Sequence, residues 1–209
     1  MEISKNPNME SIILETAERL FLEKGFAMTS TTEIAKEAGC NQALVHYYFR
    51  TKEKLFETVF SKKAELIFST FLQIEDEALS FEEKLKRKIE VHFELLRANP
   101  QLPFLMLNEL TTNPKRILAI KEKIRSLPES VFARIDRELK EEIQSGRIRQ
   151  IELIDLMMAV ISLNMAMFLA KPIMSVLVGV GEEEYERMLE RRKEENVRII
   201  INSLKAGLM

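Results

Sequence analysis

Apolar residues recur along this chain at helical spacing, and no stretch alternates cleanly at period two between Gly-rich turns. Ile13, Ala17, Leu20 and Phe21 mark one face of a first helix over about Met9–Lys24, which Gly25 is placed to end. Ser30-Thr31-Thr32-Glu33 has the form of a capping box and predicts a short helix from Thr31 to Ala38, closed at Gly39. Asn41 can cap a third helix from Gln42 to Tyr48. Thr51 can cap a long fourth, on which Leu55, Phe56, Val59 and Phe60 share a face. A second capping box, Ser80-Phe81-Glu82-Glu83, opens a helix that ends near Asn99-Pro100. Pro103 and Pro114 suit the first turns of two further helices, and Ser126-Leu127-Pro128-Glu129 opens another that Gly146 ends. An apolar run from about Ile151 to Leu169 and a last helix from about Glu182 to Lys205 bring the count to about nine. The expectation is all-α. The change of character near residue 51 divides the chain into residues 1–51, a three-helix domain, and residues 52–209, a larger helical domain.

Composition narrows the class. Gly and Pro number six each, which fits long helices and short turns, and 46% hydrophobic with 31% charged residues is ordinary for a globular protein. One cysteine, Cys40, excludes an internal disulfide and a multi-cysteine metal site; it reads as a small packing residue, with redox sensing as the alternative. The acidic start lacks the basic-then-apolar pattern of an export signal, so the expected location is the cytoplasm. Leu156–Ala170 falls about five residues short of the ~20 needed to span a bilayer and reads as a buried helix, so no membrane partner is expected.

Two short helices joined at a glycine and braced by a longer one form a helix-turn-helix, whose second helix enters the major groove of double-stranded DNA. The net charge of −2 does not favour nucleic acid, and residues 1–60 hold seven Lys/Arg against nine Glu. The local pattern differs: Ala38–Lys52 contains no acid and includes Arg50 and Lys52. Affinity for phosphate depends on the face that meets it, so such a patch can suffice. Asn41, Gln42 and Ala43 are polar or small enough to approach base edges, and Gln can pair with adenine N6 and N7.

Thr31, Thr32, Ile34 and Ala35, then Ala38-Gly39, Tyr47-Tyr48-Phe49 and Lys52, resemble the tetracycline-repressor (TetR) family over about residues 10–60. The resemblance implies a homodimeric transcriptional regulator, a repressor in most cases, acting on a palindromic operator. One helix-turn-helix per subunit would be followed by a domain that dimerises and binds a small, apolar effector; no other cofactor is implied. By position, Thr31 and Thr32 correspond to phosphate contacts and Gln42, Ala43 and Leu44 to base-reading positions. His46, Tyr47 and Tyr48 match an aromatic segment that touches backbone and bases, and Lys52 matches a phosphate contact. The family commonly has Tyr-His where this chain has His46-Tyr47.

Each motif has a structural alternative. Thr31 and Thr32 can cap a helix and bind phosphate together. Phe49 belongs in the core, because three consecutive helical aromatics cannot share one face. Met157, Met158, Asn164, Met165 and Phe168 form either a Met-rich core or the wall of an effector pocket. Tyr185, Leu189, Val197, Ile200, Ile201 and Leu204 make an apolar stripe, either a dimer interface or packing within one subunit. No phosphate-binding glycine loop, nucleophile elbow or metal-ligand spacing is present, which argues against a helical-bundle enzyme. A helical interaction protein without DNA binding is the other alternative, disfavoured by the acid-free segment.

Overall fold

The computed structural model describes residues 7–72, 78–126 and 130–207, which form ten α-helices and one π-helical turn. Two compact units are present, Met1–Leu66 and Ile67–Met209. The boundary falls later than residue 51 because the first half of the fourth helix completes the first unit's core. Leu55, Phe56, Val59 and Phe60 are buried with Ile13, Leu20 and Phe21.

The first unit consists of α1 (Pro7–Met28), α2 (Thr31–Glu37), α3 (Gln42–Phe49) and the start of α4 (Lys52–Leu72). Helix α1 is broken at Gly25, whose φ of 76° is open to glycine without a Cβ clash. The caps form as expected. Ser30 Oγ accepts from the Glu33 amide, Asn41 Oδ1 from Leu44 and Thr51 Oγ1 from Lys54, each cap contributing about 1 kcal/mol. The Phe21 and Phe56 rings meet edge-to-face at 4.8 Å, and burying each contributes roughly 1.5–3 kcal/mol. On the surface, Arg19 pairs with Glu23 and Glu37, and Lys24 with Glu33. That Lys24 ion pair, chiefly, holds the Glu33 carboxyl below its usual range.

The second unit contains α5 (Phe81–Ala98), α6 (Leu102–Thr112), α7 (Pro114–Ser126), α8 (Ser130–Gln144), α9 (Leu153–Ile173) and α10 (Glu182–Leu204). A complete capping box at Ser80 opens α5. The expected start at Ser126-Leu127-Pro128-Glu129 lies largely outside the described residues. Helices α5, α9 and α10 pack together along their lengths. One apolar cluster joins Leu85, Ile89, Leu139, Leu156, Val160 and Ile200; another joins Phe93, Leu96, Phe168, Tyr185 and Leu189.

Between these clusters the three helices each bring one buried polar group to the same level. Asn164 Nδ2 donates to Ile89 O at 2.9 Å and lies 3.1 Å from His92 Nδ1; Asn196 Nδ2 donates to Asn164 Oδ1 at 2.9 Å and to Leu163 O at 3.1 Å. Desolvation lowers the His92 pKa to about 4, so the ring is neutral and Nδ1 can accept from Asn164.

Helix α9 departs from its expected burial. With the π-helical turn Met174–Val178 it makes 26 residues, long and apolar enough to cross a bilayer by length and composition. The shorter estimate stopped at Lys171, yet the helix continues through Lys171 and Pro172. Only the Leu156, Val160, Asn164 and Phe168 side faces the core of its own chain. The opposite side leaves Ile154, Met158 and Ile173 in solvent, followed by Val176 and Leu177. A helix apolar on every side is thus half covered.

Candidate nucleic-acid interface

Helices α2 and α3 are joined by a tight reversal. Gly39 adopts φ 69° and the Cys40 amide donates to Ala35 O at 2.9 Å, satisfying a carbonyl at the end of α2. Burial pushes the Cys40 thiol pKa up, away from the thiolate needed for redox chemistry. On α3, Val45 and Phe49 lie one turn apart and face the core, which turns Gln42, Ala43 and His46 outward. Leu44, Tyr47 and Tyr48 are half-buried beside them, the two tyrosine rings meeting edge-on at 5.3 Å. Thr31 is half-buried and Thr32 exposed at the start of α2. Gln42 Nε2 donates to Thr31 Oγ1 at 2.9 Å, joining the first residues of the two helices.

Lys52 sits differently from the expectation of a free phosphate contact. Its Nζ donates to Phe26 O and Thr29 O, each at 2.9 Å, and lies 4.2 Å from the centre of the Phe26 ring. Thr29, itself buried, donates to Gly25 O at 2.9 Å, so Lys52 closes a loop already ordered from inside. Two of its three N–H groups are thereby committed to the fold. The other cation of the acid-free segment, Arg50, is exposed and makes no side-chain ion pair or hydrogen bond among the described residues. It is also the one non-glycine residue at positive φ among them, 66°. Arg50, Thr51 and Lys52 line a groove of about 210 Å³ together with Thr31, Gln42 and His46. Sequence reasoning passed over Arg50 as a site residue, although the missing acids around it were the available signal.

In the second unit the expected site residues separate. Met157 lines a small apolar cleft of about 40 Å³ with Leu85, Ile135, Leu153 and Val160, and the Lys88 stem lies at its edge. Desolvation lowers the Lys88 pKa, with Glu138 opposing. The other four expected pocket residues lie elsewhere. Met158 is exposed, Asn164 belongs to the buried polar layer, and Met165 and Phe168 pack on the Phe93 cluster. Among the described residues the cleft beside Met157 includes none of the other four, which lie further along α9 against different partners.

The α10 stripe packs within its own chain, the second of the two readings the sequence offered. Tyr185, Leu189, Ile200 and Leu204 are buried inside one protomer, and Val197 and Ile201 are half-buried against the same core. Tyr185 also donates to Met167 O at 3.0 Å. Periodicity located an apolar face; α5, α8 and α9 of the same chain cover it.

A family model described as bacterial regulatory proteins, tetR family, matches residues 13–59, and one described as tetracyclin repressor-like, C-terminal domain, matches residues 82–200. The fatty acid metabolism regulator protein of Bacillus subtilis is 28% identical over 138 residues, covering 66% of this chain and 70% of its own. Nucleoid occlusion factor SlmA of Aliivibrio fischeri is 31% identical over 155 residues, covering 72% and 74%. Among solved structures, the fatty acid degradation regulator FadR of Bacillus halodurans aligns over 93% of this chain and 96% of its own, with a TM-score of 0.63 at 21% identity. A TetR family transcription regulator of Marinobacter aquaeolei aligns over 96% and 97%, with a TM-score of 0.68 at 20% identity. At such identities the structural likeness establishes the fold alone. The two family matches and the sequence relatives establish more: this chain belongs to the tetR family of bacterial regulatory proteins, and it is a DNA-binding transcription regulator rather than an enzyme.

Proposed function

We propose that the chain acts in the cytoplasm as a homodimeric repressor whose hold on a palindromic operator is released by an apolar effector. The observation that supports DNA reading best is the outer face of α3, where Gln42, Ala43 and His46 stand exposed within an acid-free segment. Two such faces about 34–36 Å apart would meet successive major grooves. Gln42 reads a base, with Ala43 and Leu44 against thymine methyl groups. Thr31, Thr32, His46, Tyr47 and Tyr48 hold the register, the tyrosines and His46 also reaching base edges.

The exposed cation on this face is Arg50. An L-residue at its backbone angles costs about 1–3 kcal/mol, and a glycine there would be unstrained. Holding an arginine at such a position aims a guanidinium into the groove beside Thr31, where a phosphate can bind it bidentately. Lys52 gives its remaining N–H to the same backbone. Gln42→Ala is expected to cost about 1–3 kcal/mol on the operator and to relax preference at one base pair. Arg50→Ala is expected to weaken operator and random duplexes alike and to flatten log affinity against log salt by roughly one unit per contact. Fluorescence anisotropy over a salt series measures both. Equal losses on every sequence for Gln42→Ala would remove it from base reading.

Dimerisation uses the uncovered side of α9, where Ile154, Met158 and Ile161 repeat at helical spacing. For the effector, relatives named for fatty acid metabolism and degradation favour a long acyl chain. The cleft beside Met157 opens to admit its tail, while Lys88 at the rim meets its anionic head. Adding myristoyl-CoA at about a hundred times its dissociation constant is expected to stabilise the protein by about 2.7 kcal/mol. Met157→Trp, which fills the cleft, is expected to abolish that gain in thermal melting; a full gain in the folded variant would place the ligand elsewhere.

A further inference from the structure

Gln42 and Thr31 are hydrogen-bonded to each other on the outer surface of the helix-turn-helix, across eleven positions of sequence and 2.9 Å of space. An exposed glutamine amide can turn over by half a rotation, exchanging its oxygen and its NH2 group. Base reading depends on which way it lies. Adenine offers an N7 acceptor and an N6 donor to the major groove, and a glutamine meets both through its oxygen and the N–H on the same edge, in one order only.

Thr31 can decide that order. A hydroxyl has one proton and two lone pairs, so in the absence of DNA it can accept from Gln42 Nε2 or donate to Gln42 Oε1. A phosphate oxygen only accepts. Once the Thr31 proton is donated to phosphate, Oγ1 can only accept, and one amide orientation satisfies it: Nε2 towards Thr31, Oε1 and the second N–H towards the base.

We propose that Thr31 is a positioning residue that couples backbone contact to base reading, its phosphate-bound hydroxyl locking the Gln42 amide in the orientation that recognises adenine. This rests on the reading that α3 enters the major groove with Thr31 against phosphate. The bond closes in the free protein, so the amide is held close to its reading position before DNA arrives.

The test uses the full chain and a duplex recovered from a random-sequence pool by the wild-type protein, together with its single-base-pair variants. Wild type is expected to prefer A·T at one position by about tenfold. Thr31→Val, of the same shape without the hydroxyl, is expected to lower affinity and to reduce the preference at that position to the level of Gln42→Ala. Preferences at other positions stay unchanged. Thr31→Ser restores the preference, and Gln42→Ala added to Thr31→Val lowers it no further. If Thr31→Val weakens every duplex by the same factor and keeps the preference, Thr31 is a phosphate contact only and the coupling is overturned, while DNA reading by Gln42 stands. If Gln42→Ala alters no preference, or the wild-type protein selects no duplex, the underlying reading fails instead. Should Thr31→Val melt early, Thr31→Ala gives the same comparison with a better helix former.

Discussion

Replacing Ile154 and Met158 together by lysine is expected to leave a folded monomer that no longer holds its operator. In a single protomer these side chains are 63% and 54% exposed, so lysines there stay in water and disturb no core. They lie one turn apart on the side of α9 opposite Leu156 and Val160. In a two-fold interface every residue appears twice, so four ammonium groups would enter one apolar contact. Each buried without a partner costs several kcal/mol, more than a typical dimer can absorb. Sedimentation equilibrium reads the assembly and anisotropy the operator affinity. A dimer that survives both lysines would move the interface off this face. The contrasting control is Ile200→Lys with Leu204→Lys: at 1% and 3% exposure these substitutions break the protomer's own core and are expected to unfold it.

Asn164→Leu is expected to destabilise the second unit by about 3 kcal/mol, although leucine is the more apolar residue. The substitution removes one of the two acceptors of Asn196 Nδ2 and the group beside His92 Nδ1. Buried polar groups left without partners cost about 1–3 kcal/mol each. Denaturant unfolding measures the loss; a variant as stable as wild type would mean that the polar layer adds nothing to stability. The same layer gives the unit an acid limit. His92 has a pKa of about 4 in the fold against an ordinary 6.5, so it favours the folded state fully above pH 6.5. As pH falls towards 4 the unfolded chain takes up a proton that the fold refuses. The associated loss saturates at about 3 kcal/mol.

What was legible in the sequence was local. Ser30, Asn41, Thr51 and Ser80 announce helix starts because a cap bonds within three residues of itself, and Gly25 and Gly39 announce stops because few other residues take their angles. The burial of Val45 and Phe49 follows from their spacing of four. Information that depends on a second element was not legible. The α10 stripe shows which side of the helix is apolar but not whether α9 or another molecule covers it. The five α9 residues grouped as a pocket are spread over three turns of one helix, and each level of it meets a different set of partners. Lys52 and Arg50 look equivalent until Phe26, twenty-six residues before Lys52, is brought beneath one of them.

Lys52 is held by two carbonyls and an aromatic face, none of which carries a formal charge. Carbonyl dipoles satisfy an ammonium's N–H groups, whereas a carboxylate would also have neutralised it. The positive charge therefore still reaches out from the rim of the groove. Counter-ions around DNA respond to the electric field at a surface and not to whether a particular nitrogen touches a phosphate. A lysine fastened into the fold thus helps draw a polyanion in from a distance of about one Debye length, close to 8 Å at physiological salt, before any side chain has made contact.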